Sequence, residues 1–209
     1  MKQKLTIKLL LAAVFCIGTL NVNAQAYQEG SSIASVGYGI GFSWKAWWSA
    51  YDSKSSFESK NFGPICLKYE YGVNDKFSMG LYFAHQKSTG KWTDSYVTDI
   101  DINGNYIYET FKYEVAIGNT VVLGRGNYHI KTKNEKLDPY AGLAIGYRKY
   151  SYDVTSNDAS FNYKASFAGA FGFGMHAGVR YEFTPLLGAY AEFGVGQVAA
   201  IQAGVAAKF

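Results

Sequence analysis

The side chains in this sequence that could do chemistry recur on one parity of alternating stretches. They are Lys68 and Glu70, Arg148, His176 with Arg180 and Glu182, Glu192, Gln202, and Lys208. Residues two apart on a strand share a face, so each stretch presents these groups to one side and its aliphatic and aromatic residues to the other. If that side is enclosed, the charges must pair. Glu70 and Glu192 are then expected to bond with Arg180, Arg148 or Lys68 in a hydrogen-bonded plug. A transient opening of the same network would pass small solutes, which is the second chemistry these residues could support. Histidine beside serine and a carboxylate could instead run acyl chemistry, so the three histidines need weighing. His176 falls among the pairing charges and His129 beside a polar turn. His85 lies near Ser88, Asp94 and Ser95, which form no recognisable motif with it. No catalytic residue, cofactor or metal site is expected.

The elements that must position these groups are β-strands. Residues 161–183 alternate, with Phe161, Tyr163, Phe171, Phe173, Met175, Tyr181 and Phe183 on one parity and mostly Gly, Ala and Ser on the other. Glycine weakens a strand and adds no packing, so a Gly/Ala/Ser row marks a crowded interior. The large apolar side chains then point outward, and outward apolar residues need lipid. The same grammar appears in strands at about 34–44, 65–72, 77–84, 107–130, 138–153, 188–195 and 201–209. In the strand at 107–130, Gly118, Gly124 and Gly126 are read as the bare face, with a bulge near Arg125.

These eight strands predict an all-β fold, an eight-stranded antiparallel up-and-down transmembrane β-barrel. An even number returns both ends of the chain to one side of a membrane. Short turns at 73–76, 131–136 and 184–186 alternate with longer loops near 45–63 and 87–106, the asymmetry of a barrel with short periplasmic turns and long external loops. A ten-strand alternative arises because residues 96–108 read as a hairpin around Asn103-Gly104. Its arms are short for spanning strands and carry Asp99 and Asp101, so it is expected to be the external tip of strands three and four. Strands four to six exceed a bilayer's thickness. Strand six alone would run roughly 70 Å at about 3.3 Å per residue. Their outer ends should form a protruding sheet with an exposed edge for another chain's backbone. The rival fold, a soluble lipocalin-like barrel, would leave too few charges facing water, since 17% of residues are charged.

The N-terminus fits export. Lys2, Lys4 and Lys8 precede an apolar run from Leu9 to Leu20, and Val22-Asn23-Ala24 is a small-residue cleavage pattern, so residues 1–24 read as a cleaved signal peptide and 25–209 as the barrel domain. Losing those three lysines from 20 basic residues leaves 17 against 16 acidic, a balance that gives no basic patch for nucleic acid. Only Cys66 then remains, expected as a buried small residue. Trp44, Trp47, Trp48 and Trp92 cluster near the predicted outer strand ends and suit an interfacial aromatic girdle. Trp47, Trp48 and Tyr51 could alternatively bind an external glycan or protein.

The C-terminal segment Gln202-Ala203-Gly204-Val205-Ala206-Ala207-Lys208-Phe209 resembles the terminal assembly signal of outer-membrane barrels, with Gln202, Gly204 and Phe209 its matching positions and Ala207 departing from the usual aromatic. With Arg125-Gly126-Asn127-Tyr128-His129, Asp138-Pro139-Tyr140-Ala141-Gly142-Leu143 and Gly178-Val179-Arg180-Tyr181, nearly the whole mature chain resembles the small outer-membrane barrels of Bacteroidetes and their OmpA/OmpX-like, porin-family relatives. The resemblance implies insertion by the barrel-assembly machinery and contact with outer-membrane lipid, including lipopolysaccharide. Some small barrels modify lipid A with an exposed His, Ser and acid near the outer leaflet, and His85 is the histidine on that side. Members of such a family do many things, so the expected role is a non-enzymatic one in envelope integrity or external binding, with a narrow porin as the alternative.

Overall fold

The computed structural model describes residues 26–41, 48, 56–158 and 161–209, and for 167–170 the backbone alone. The proposed signal peptide, Trp44, Trp47 and Tyr51 lie outside the described residues. Eight strands follow one another: β1 Ser32–Gly41, β2 Glu58–Asn74, β3 Phe77–Ile100, β4 Tyr106–His129, β5 Leu137–Ser156, β6 Tyr163–Glu182, β7 Leu187–Val195 and β8 Ala199–Lys208. Each pairs antiparallel with the next, and β1 pairs with β8 from Ile33↔Lys208 to Gly41↔Ala199, closing the barrel. Closure satisfies the strand edges within the barrel wall, which is what a wall in hydrocarbon requires.

Alternation sets the two faces. Tyr38 and Ile40 of β1, Leu67 and Tyr71 of β2, Met79 and Leu81 of β3, Leu143 and Ile145 of β5, Phe171 and Phe173 of β6, Phe193 of β7 and Val205 of β8 are all exposed. They form an apolar belt around the outside, too continuous to face water. The belt is narrow. On β2 its outward residues run over 65–73, about the nine residues a tilted spanning strand needs. Above it the outward positions of β3 become His85, Lys87, Thr89 and Lys91.

The expected eight strands and the hairpin as the tip of strands three and four match this barrel, while several boundaries differ. Residues 58–63 and 87–95, expected in loops, belong to β2 and β3. Apart from Phe62, their outward residues are polar, so the apolar alternation that marks a membrane strand is missing there. The bulge expected near Arg125 is absent, because β4 pairs in unbroken register through Arg125 with both neighbours. Gly118, Gly124 and Gly126 fall on the outward parity, opposite to the expectation. Gly124 and Gly126 lie in an open recess of the outer wall, about 1260 Å³, that runs from Val73 and Met79 past Leu143 to Phe193. The inward side of β4 carries Val121, Leu123, Arg125, Asn127 and His129 instead.

Candidate functional site

The lumen is filled in layers. At its centre Glu192 gathers three donors on one oxygen: Lys68 Nζ at 3.0 Å, Arg125 Nη2 at 2.9 Å and the Tyr140 hydroxyl at 2.9 Å. Gln202 Nε2 donates to its other oxygen at 2.7 Å. Lys68 also sits 3.3 Å from the Tyr190 ring centroid, a cation–π contact. Below, Arg180 joins two carboxylates, Asp138 at 2.5 Å and Glu70 at 3.4 Å, and Lys208 pairs with Glu182 at 2.8 Å. Four cations and four carboxylates therefore neutralise one another among the described residues, the condition for burying charge.

Further polar side chains connect the two halves. Asn127 accepts from His176 Nε2 at 2.6 Å and Arg125 Nε at 3.3 Å, and donates to Ser78 Oγ at 3.0 Å. Ser78 Oγ lies 2.9 Å from His129 Nε2, and His129 Nδ1 lies 2.7 Å from Asp138. Ser78, His129 and Asp138 thus form one continuous chain behind Asn127. This is the order of groups in a nucleophilic relay. Here it is enclosed rather than presented: all three residues are buried, Arg180 holds the second Asp138 oxygen, and the Tyr27 ring lies flat on His129 with centroids 3.5 Å apart.

Tyr27 belongs to the segment before β1, which folds under the barrel's short-turn end. Its hydroxyl sits 2.7 Å from the Asn74 carbonyl and 2.5 Å from that of Phe77, and the Ala26 N–H donates to Glu135 O at 2.6 Å. Above the charged layer lies an apolar one of Cys66, Tyr82, Ala84, Val121, Leu123, Ala144, Val198 and Ala199, all essentially inaccessible. Higher still, Trp48 packs on Val115 and Ile117 and donates to Ser88 Oγ at 2.6 Å.

Placement of the expected residues is mixed. Lys68, Glu70, His176, Arg180, Glu182, Glu192, Gln202 and Lys208 are buried in the lumen, and Cys66 is a buried free thiol. Arg148 is not part of the charge network. It is half-buried above the apolar layer, bonding Tyr150 and the Gly196 carbonyl. Trp48, at 2% exposure, is neither girdle nor binding surface, and Trp92 faces inward, stacked 5.4 Å from Tyr113. Gly204 sits on the β1–β8 seam opposite Gly37, where a methyl group would meet the Val36 carbonyl. The candidate acyl-chemistry group is not brought together. His85 faces out and bonds Thr120 at 2.8 Å, whereas Ser88 faces in, and Ser95 stands higher, bonded to Thr110. Sequence reasoning missed Arg125, Asn127, His129, Asp138 and Tyr27. Asp138 was within reach, since it shares parity with Tyr140 on β5.

Outside the belt, β3 and β4 continue as a two-stranded ribbon. The described part of β2 starts at Glu58, opposite Lys91, and β5 ends at Ser156, opposite Tyr113. The ribbon turns through a loop at 102–104, closed by Asp101 N–H to Asn105 O at 2.9 Å with Gly104 at φ +84°. That is a three-residue loop with glycine in the left-handed position, not the two-residue turn expected at Asn103-Gly104. Asp101 caps it, accepting from the N–H groups of Asn103 and Asn105 and from the Asn105 amide.

No protein-family profile matches the chain, and no curated protein matches it. Among solved structures, the chain is similar to a de novo designed transmembrane β-barrel at 12% identity and a TM-score of 0.47, over 88% of this chain and 100% of that one. The attachment invasion locus protein Ail of Yersinia pestis, crystallised with the heparin analogue sucrose octasulfate, is 14% identical with a TM-score of 0.44, over 87% and 99%. OprG of Pseudomonas aeruginosa is 10% identical with a TM-score of 0.45, over 90% and 99%. The likeness is one of strands and closure and brings no residue role with it.

Proposed function

We propose that this protein is a non-enzymatic outer-membrane β-barrel, sealed through its middle, that works as a wall-embedded support for an external binding ribbon and contributes to envelope integrity. The observation that carries the reading is the division of the chain. Below the outer edge of the apolar belt, inward groups are consumed in packing and ion pairing. Above it, β3 and β4 raise a ribbon with exposed Tyr96, Val97, Ile100, Tyr106 and Tyr108. Exposed apolar side chains on a polar-flanked ribbon mark an interaction surface. Lipopolysaccharide around the belt, the barrel-assembly machinery at the C-terminal segment, and an external protein or glycan are the partners this reading requires. The resemblance to Bacteroidetes barrels supports the compartment.

The test replaces residues 94–111 with a short turn. Barrel insertion, read as heat-modifiable migration on gels, should persist while adhesion of expressing cells to protein-coated surfaces falls to background. Undiminished adhesion after hairpin removal would sink the reading. A narrow porin is the second reading, and one observation favours it. Glu70 Oε1, Arg125 Nη1 and Arg180 Nε are buried without a hydrogen-bond partner, and water in the lumen would satisfy them.

A further inference from the structure

We infer that the β3 edge of the external ribbon is a docking strand for a cationic, extended segment of another protein, one whose residues alternate apolar and basic. The inference rests on the proposed external binding and names its edge, its faces and the partner's chemistry.

The two edges of the ribbon are not equivalent. Beside β4, Asn157 takes the place of a neighbouring strand: the Lys112 N–H donates to its Oδ1 at 2.7 Å, and its Nδ2 donates to the Thr110 carbonyl at 3.2 Å. A side chain that caps backbone groups in this way blocks pairing at Thr110 and Lys112. Beside β3, the ladder with β2 ends at Glu58↔Lys91, and residues 95–100 have no strand next to them among the described residues. An open row of backbone groups is the template that strand addition uses.

The two faces differ as well. Register shifts between Val97 and Asp99, a bulge that changes which residues share a side. Val97 is opposite Tyr108 and Ile100 is opposite Tyr106, and the two tyrosines lie two apart on β4, so all four share one face. Without the shift, Val97 and Ile100, three apart, would face opposite ways. These four are 48, 63, 55 and 63% exposed in the order Val97, Tyr108, Ile100, Tyr106. The other face carries Asp99 opposite Ile107 and Glu109 opposite Tyr96, with Asp94 opposite Phe111.

Charge selects the occupant. Residues 94–111 hold four carboxylates, Asp94, Asp99, Asp101 and Glu109, and no Lys or Arg. A second copy of the ribbon would bring like charges together, and so would the phosphates of an anionic lipid surface. A strand alternating apolar and basic residues puts its apolar side next to Val97 and Ile100 and its basic side next to Asp99, with Glu109 one strand further in on the same face, matching both faces with the period of a strand.

The test uses the full mature chain in phosphatidylcholine nanodiscs and a fluorescent ten-residue peptide alternating valine and lysine, followed by anisotropy with empty nanodiscs as control. Saturable binding is expected, weakening by about tenfold or more between low salt and 0.5 M salt as the charges are screened. An alternating valine–glutamate peptide should not bind. The valine–lysine peptide methylated on alternate backbone nitrogens should lose binding, since it cannot complete the ladder. Asp99→Asn with Glu109→Gln, both exposed, should weaken binding about threefold or more while leaving gel migration unchanged. Absence of saturable binding, equal binding of the glutamate peptide, or unchanged binding of the methylated peptide would overturn the inference. Hairpin-dependent adhesion combined with a failed peptide overturns only this inference, whereas adhesion that survives hairpin removal overturns the reading beneath it.

Discussion

Glu192 is the residue on which the lumen turns, because Lys68 and Arg125 both rest on one of its oxygens and both are shut away from water. Removing a shared partner leaves two buried cations facing each other, and breaking a buried pair costs on the order of 3–5 kcal/mol. Glu192→Ala should therefore lower the urea midpoint of the barrel in detergent, read as loss of the heat-modifiable band, far more than Glu192→Gln, which keeps acceptor and shape. An alanine variant within about 0.5 kcal/mol of the parent would show that the network fills space without holding the fold. Most of this network was legible in the sequence. On β2 and β6 the outward residues are mostly large and the inward ones small or charged, so parity alone names Lys68, Glu70, Arg180 and Glu182, and on β7 the inward parity of Gly188, Tyr190 and Gly194 carries Glu192 with it. On β4 parity misleads, because Gly124 and Gly126 sit outward, and a reader who places every glycine inside turns Arg125, Asn127 and His129 to the lipid. Arg148 misleads differently. It has the right parity but lies too far along β5 to reach the acids, and parity carries no information about height in the barrel.

At the scale of the element, the hairpin between β3 and β4 depends on Asp101. Hydrogen bonds from the Asn105 side chain, and then from the backbone N–H groups of 103–105, hold its carboxyl below the usual carboxylate range. A folded-state value depressed in this way means the capping stabilisation is present above the ordinary carboxylate range and is lost as pH falls through the lowered folded value. The amide resonances of Asn103 and Asn105 should thus move together on acidification, with an inflection lower than that of an uncapped aspartate. In Asp101→Asn that inflection should vanish and the loop amides should exchange faster at neutral pH. An inflection at the ordinary carboxylate value would mean the cap is not formed in solution. The existence of this hairpin could be read from Asn103-Gly104, but the bulge below it could not. A register shift is decided by how two strands meet across the ribbon, and neither strand alone encodes it.

The whole molecule places two closures in series, and they differ in kind. At the short-turn end Tyr27 covers His129 through one stacked ring and its hydroxyl contacts, on a segment held to the barrel by a few backbone bonds. Such a cover rests on few buried contacts and opens at small free-energy cost. Val121, Leu123, Tyr82 and Val198 instead close the lumen from β3, β4 and the turn before β8, a packed layer in which the Tyr82 hydroxyl meets Cys66 Sγ at 3.4 Å. Ions crossing that layer would lose hydration with nothing to replace it, whereas ions entering the charged layer below would find partners. The apolar layer, not the ion pairs, is therefore the seal. In planar bilayers the parent should give no conductance steps, and Tyr27→Ala should give none either, since it lifts only the cover at the short-turn mouth of a closed tube. Tyr27→Ala combined with Leu123→Ser should conduct, while Leu123→Ser alone should conduct less because the tyrosine still covers one mouth. Each variant must first show the folded band on gels. Steps from the parent or from Tyr27→Ala alone would put the gate in the charged network and favour the porin reading over the sealed barrel.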